Sequence, residues 1–305
     1  MSDARLARLK GRIIDFRLRP PTGPYRNFFT PAAVKGVNRL LRQPVPPSYE
    51  VGVAGGDGAD ERAIGVLLKE MDSVGIQVGV MNGRHSVRSN AHIEDADLAA
   101  IQAQTQGRLL GLCGVDFDKP VDEVVAGLER GVKELGMKGV CIEPGLARTP
   151  MYADDERIFP IYQKVADLGE PLLFMSGPLA GPDISHTDPV RFERVACRWP
   201  QMPVILGHGA WPYVNETVAL AFKSEITGRC NVYVSPDVYT FAPGGRAYVE
   251  GIEFIPNRFV FASSYSFSGV VEAVTKVMAL GLSDEVLEQY MVRNAEKLLG
   301  ISMDR

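Results

Sequence analysis

No two cysteines in this chain are spaced Cys-x-x-Cys. The four present, Cys113, Cys141, Cys197 and Cys230, lie far apart, which excludes a zinc knuckle or a redox motif and leaves free, buried thiols as the expectation. Lys and Arg nowhere cluster and the net charge is -4, so the chain lacks the basic footprint of a nucleic-acid binder. No apolar run is long enough to span a bilayer, and the charged, amphipathic stretch 1–10 has no uninterrupted apolar core of the kind a secretory leader needs. These absences suit a cytoplasmic protein without a membrane partner. Nor does a Gly-x-Gly-x-x-Gly turn follow an early strand, which removes the usual sign of dinucleotide binding.

What remains is an ordinary globular composition, 46% hydrophobic and 23% charged over 305 residues, enough for one large barrel or two smaller domains. Short Val/Ile/Leu-rich runs recur at 13–20, 75–81, 108–116, 136–144, 171–177, 203–209, 231–237 and 258–264, and helical periodicity precedes all but the first. Two further helices, 269–280 and 283–299, follow the last run. Near-continuous apolar strands alternating with helices predict a parallel sheet buried on both faces, and eight of them predict a (β/α)₈ TIM barrel. A doubly wound sheet is the alternative. The chain reads as one domain over 1–305 with a long Pro-, Gly- and aromatic-rich insertion at about 20–58, part of it (32–42) a short helix. A connection of that length implies a lid, a binding loop or a subunit contact, which makes a homo-oligomer plausible.

The stretch that organises the site is Ile13-Ile14-Asp15-Phe16-Arg17-Leu18-Arg19-Pro20, a buried strand whose alternation sends Asp15, Arg17 and Arg19 to one side. It resembles the first barrel strand of the amidohydrolase superfamily, in the branch of aminocarboxymuconate-semialdehyde and resorcylate-type decarboxylases. There the strand ends Asp-x-His-x-His and the histidines hold a divalent metal. Leu68-Lys69-Glu70-Met71-Asp72-Ser73-Val74-Gly75-Ile76, Gly107-Arg108-Leu109-Leu110-Gly111, Glu134-Leu135-Gly136-Met137-Lys138-Gly139-Val140, Gly207-His208-Gly209 and Asn294-Ala295-Glu296-Lys297-Leu298-Leu299-Gly300 resemble other parts of the same branch. The resemblance implies a metal-dependent-hydrolase-like barrel, but all four ligand positions are changed. The two histidines fall on Arg17 and Arg19, the fifth-strand histidine near Met175 and Ser176, and the eighth-strand aspartate on Ser264. Arginine offers no lone pair and cannot ligate, so no metal and no other cofactor is expected.

Two guanidiniums ~7 Å apart on one strand repel by about 2 kcal/mol, so an anion must compensate. Arg17 and Arg19 either clamp a substrate carboxylate where the metal sits in relatives or enter an ion-pair network with Asp15, Glu143 or Asp237. His208, at a strand's C-terminal end between glycines, is the acid/base candidate, with a satisfied core histidine as the alternative. Ser264 is a hydrogen-bond donor to substrate or a small space-filler. Glu143 and Asp237 end strands on the same face, where they orient substrate or pair with arginine. Arg84 and His85 either face the mouth from the loop after the second strand or are solvated loop residues. Tyr239, Phe241 and Arg246 line a ring pocket or form a subunit contact. His92 reads as an exposed loop residue, and His186 as part of a helix start in which Thr or Asp caps and Pro fills the first turn.

These readings predict an enzyme on a small anionic carboxylate, with or without a ring, acting without metal as hydrolase or non-oxidative decarboxylase. Arg17 and Arg19 would stabilise negative charge, and His208 would move the proton. A catalytically silent barrel that binds an anion or a partner is the second expectation. A relocated metal site drawn from His85, Glu143, His208 and Asp237 is the third.

Overall fold

The structure, a computed structural model, describes residues 2–26, 28–85 and 92–303. Seven parallel strands follow one another around a curled sheet: β1 (Ile13–Leu18), β2 (Ile76–Asn82), β3 (Leu109–Gly114), β4 (Val140–Ile142), β5 (Leu172–Met175), β6 (Val204–Gly207) and β7 (Val232–Ser235). The expected eighth strand closes the ring without becoming regular. The Val260 N–H donates to the Val234 carbonyl and the Phe16 N–H to the Phe261 carbonyl, so this segment bridges β7 and β1. Two further N–H groups go elsewhere: that of Phe261 to the Tyr290 carbonyl and that of Ser263 to the Asp15 carboxylate. The fold is a TIM barrel, as the strand–helix alternation predicts.

Alternate strand residues sort into two cores. Ile14, Phe16, Val78, Val80, Leu110, Leu112, Leu173, Ile205, Tyr233 and Val260 fill the inside, together with Ala295, Leu298 and Leu299 of the last helix. The intervening residues, among them Ile13, Leu109, Val140, Leu172, Val204 and Val232, pack under the helices. Each buried aliphatic side chain contributes about 1.5–3 kcal/mol before chain entropy is set against it. Both faces of the sheet are therefore dry, and polar groups concentrate where the strands end.

The helices begin and end as their sequences dictate. In Pro189–Arg198, Asp188 accepts from the Val190 N–H and Pro189 occupies the first turn, which is the helix start expected around His186. The expected helix over 283–299 is interrupted by a π turn at Gln289–Arg293. Within that turn the Tyr290 carbonyl accepts from Phe261, so the bulge serves closure of the barrel.

The insertion at 20–58 carries two helices, Pro31–Leu40 and Pro47–Ala54, the second unanticipated although Pro47 sits in its first turn. It is tied to the mouth of the barrel. Tyr25 Oη donates to the Asn82 carbonyl at 2.6 Å, Asn38 Nδ2 to Ser266 O at 3.2 Å and Gln43 Nε2 to Phe267 O at 3.0 Å. No described helix is long and apolar enough to cross a membrane. Cys113, Cys141 and Cys230 are buried as expected, whereas Cys197 is exposed.

Candidate active site

Side chains from the C-terminal ends of six strand positions converge on one pocket. It is lined by Arg17, Arg19, Arg84, Glu143, Met175, His208 and Tyr239, with Phe29 and Phe267 from the insertion and the closing segment, and it encloses about 460 Å³ counting its open mouth. Barrel chemistry sits at this end because the strand termini free their side chains from the packed interior.

β1 does not alternate strictly. Its pairing with β2 shifts register between Asp15 and Leu18, and the three polar residues do not share a direction as the sequence predicts. Asp15 turns to the seam with the closing segment, where Oδ1 accepts from the Ser263 N–H at 2.9 Å and the Arg17 N–H at 3.1 Å. Arg17 and Arg19 turn into the pocket.

Arg17 is 1% exposed, and both of its terminal nitrogens are engaged. Its Nη1 donates to Asp237 Oδ2 at 2.6 Å and to Ser264 Oγ at 2.7 Å, and its Nη2 lies 2.7 Å from His208 Nε2. Because a guanidinium has no acceptor, Nε2 must be the accepting nitrogen. The ring proton is then on Nδ1, which stands 3.0 Å from Asp237 Oδ2. Burial, reinforced by the Arg17 charge and opposed by Asp237, pushes His208 down to about 4, so the ring is neutral at pH 7. For Asp237, burial raises the carboxyl, but His208 and Arg17 outweigh it and hold it below the usual range. Arg17, His208, Asp237 and Ser264 thus form one closed network.

The backbone under this network is strained. Among the described residues only six non-glycine positions have positive φ, and His208 (67°), Ala210 (55°), Asp237 (44°) and Ser264 (64°) are four of them. Each such conformation costs on the order of 1–3 kcal/mol and persists only where the surroundings enforce it. Ser176 supplies part of that support: its Oγ donates to the Gly207 carbonyl at 2.7 Å and accepts from the Ala210 N–H at 3.1 Å. Tyr248 Oη holds the Gly209 carbonyl at 2.7 Å. These buttressing roles were not apparent from the sequence, which offers no local signal for them.

Arg19 differs from Arg17. It is 6% exposed, and among the described residues it makes no ion pair. Its guanidinium rests on the Phe28 and Phe29 rings at 4.8 and 5.4 Å. Burial and the like charges of Arg17 and Arg84 push it down to about 9, with Glu143 acting against them. Arg84 reaches Glu143 (Nε to Oε2, 2.6 Å) and lies 4.4 Å from the centre of the Phe28 ring. Tyr239 meets His208 edge-on at 5.3 Å and stacks on Trp211, and burial pushes its hydroxyl up to about 12.

His85, expected at the mouth, is not among the pocket-lining residues; it bridges to Asp116 and lies 3.7 Å from Glu94. His92 is exposed. Phe241 and Arg246 also stand outside the pocket, Arg246 paired with Glu250 on the surface.

The residues do not fit a divalent cation. Guanidiniums occupy two of the four expected ligand positions, Ser264 accepts from one of them, and Ser176 is spent on the backbone. Among the described residues no three His, Cys, Asp or Glu converge, which also removes the relocated site drawn from His85, Glu143, His208 and Asp237.

Comparison with solved structures returns relatives across nearly the whole chain. An uncharacterized TIM-barrel protein from Bordetella bronchiseptica is 31% identical, with a TM-score of 0.82 over 94% of this chain and 98% of that one. A 2,6-dihydroxybenzoate decarboxylase from Rhizobium (17% identity, TM-score 0.64, 95% and 99% covered) shares the fold. So does a 5-carboxyvanillate decarboxylase from Novosphingobium aromaticivorans complexed with manganese (15%, 0.62, 96% and 97%). Comparison with curated proteins returns no match. The family model described as amidohydrolase matches residues 42–301, and the chain belongs to that family of enzymes.

Proposed function

We propose that this chain is a decarboxylase or hydrolase of a small carboxylated, ring-containing metabolite, and that it works without a bound metal. The observation that carries the reading is Arg19, a nearly buried cation that lines the pocket and makes no ion pair among the described residues. A buried charge left uncompensated is costly, so the site is completed by an anion from outside. The walls suit a flat ring: Phe29 and Phe267 lie 4.1 Å apart on one side, with Leu146, Met175 and Tyr239 around them. Carboxylated aromatics are the substrates named for the decarboxylases of like fold.

In this reading Arg19 anchors the carboxylate, and Arg17 supplies the fixed positive charge that stabilises negative charge developing on the substrate. His208 is the base or acid. Its Nε2 is engaged by Arg17, so it exchanges a proton once the substrate anion draws Nη2 away. Incubation with ring carboxylates, amides and lactones in excess EDTA, followed by mass spectrometry, tests this. Turnover that persists in EDTA and is lost in Arg19→Gln and His208→Gln is expected. Turnover that needs an added divalent ion, or that both variants retain, would overturn it.

The closed Arg17–His208–Asp237–Ser264 network favours one second reading, a barrel that binds an anion and does no chemistry. It predicts thermal stabilisation by the anion alone. Any steady product formation excludes it.

A further inference from the structure

The pocket holds three guanidiniums, and two are already compensated. Arg17 is paired with Asp237 at 2.6 Å and Arg84 with Glu143 at 2.6 Å, which leaves Arg19, among the described residues, with the single uncompensated charge of the three. Asp15 does not alter this count, because it faces the seam and is not among the groups acting on Arg19. We infer that Glu143, by masking Arg84, is a specificity-determining residue that sets the pocket to accept one negative charge, so that the ligand is a monocarboxylate rather than a dicarboxylate. This rests on the reading of the pocket as an anion site.

The physical reason is the cost of a second charge. Once the first carboxylate sits on Arg19, a second pointing toward Arg84 meets the Glu143 carboxylate, and one pointing toward Leu146, Met175 and Leu179 meets an apolar wall, while Arg17 and His208 are already held by Asp237. The first is repulsive and the second desolvates a charge with no partner. Arg84 is close enough to serve otherwise, since it and Arg19 lie 4.4 and 4.8 Å from the centre of one ring, that of Phe28. Only its pairing with Glu143 takes it out of use.

Calorimetric titration with benzoate and isophthalate, on the full chain and on variants whose thermal transition shows them folded, tests the inference. The unmodified protein should bind benzoate on the order of tenfold more tightly than isophthalate. Glu143→Gln should reverse that order by freeing Arg84, with benzoate gaining less than isophthalate. The double variant Arg84→Met/Glu143→Met, which removes the pair as a neutral unit, should keep the original order. Equal or tighter binding of isophthalate by the unmodified protein would overturn the inference even if Glu143→Gln failed to fold. An unchanged order in a folded Glu143→Gln, or no binding of either ligand, would do the same. Product formation is recorded separately and bears only on whether the chain is catalytic.

Discussion

Arg17 and Arg19 are two residues apart, one within β1 and the other just past its end, yet the physical chemistry assigns them opposite effects on stability. Arg17 is buried against Asp237, and removing one member of such a pair strands the other. Arg17→Met should therefore destabilise the protein by about 3–5 kcal/mol in urea unfolding. Arg19 has no ion-pair partner to strand among the described residues, and its burial is itself a cost. Arg19→Met should leave stability unchanged or raise it while abolishing anion binding. Equal destabilisation by the two variants would contradict the division of roles. The sequence shows both arginines in one apolar run, but not this difference, because Asp237 and Ser264 reach Arg17 across 220 and 247 residues. His208 adds a pH signature: with the ring pushed down to about 4, the acid limb of kcat/KM should lie near there and not near the ordinary histidine value of 6.5. A limb near 6.5 would show that His208 is not the titrating group.

At the scale of elements, the decisive feature is the irregular seam where β1 meets the closing segment. Asp15 is buried there and its carboxyl is raised to about 6 from 3.8, because burial outweighs the hydrogen bonds from Ser263 and Arg17. The folded chain therefore holds this proton up to a higher pH than the unfolded chain does. The group's contribution is fully present below pH 3.8 and is lost as pH rises through 6, by on the order of 2–3 kcal/mol. Asp15→Asn should remove that decline from the urea midpoint, and parallel pH profiles for the two proteins would contradict the assignment. The loop after β5 is the second sensitive element. A Cβ at Gly177 would stand 2.7 Å from His208 Cδ2, so Gly177→Ala must shift the ring or the loop and disturb the ring's contacts with Arg17 and Asp237. A loss of about 1–3 kcal/mol is expected, with turnover reduced further than stability alone explains. Neither feature is legible in the sequence, since strand alternation predicts a shared direction for Asp15, Arg17 and Arg19, and a register shift is a property of the pairing.

At the scale of the molecule the architecture is readable from the chain, because both sheet faces are buried and the strands appear as unbroken apolar runs between amphipathic helices. The eighth strand reads as one more apolar run, although its backbone groups are shared with Tyr290 and Asp15. The insertion is less readable: its second helix starts in a proline cluster that suggests a loop. The candidate site was legible through the family pattern, whose positions fall on Arg17, Arg19, His208 and Ser264. The pairing of Arg84 with Glu143 lies outside that pattern and needed the fold. In the proposed function, the fixed guanidinium charge of Arg17 and Arg19 takes the place of a metal ion. The most direct test of that replacement is elemental analysis of untagged protein purified without chelators, after zinc, manganese and iron are supplied during expression. Metal far below one equivalent per chain, with anion binding intact, is the predicted result. About one tightly held equivalent, lost together with anion binding on dialysis against EDTA, would contradict it.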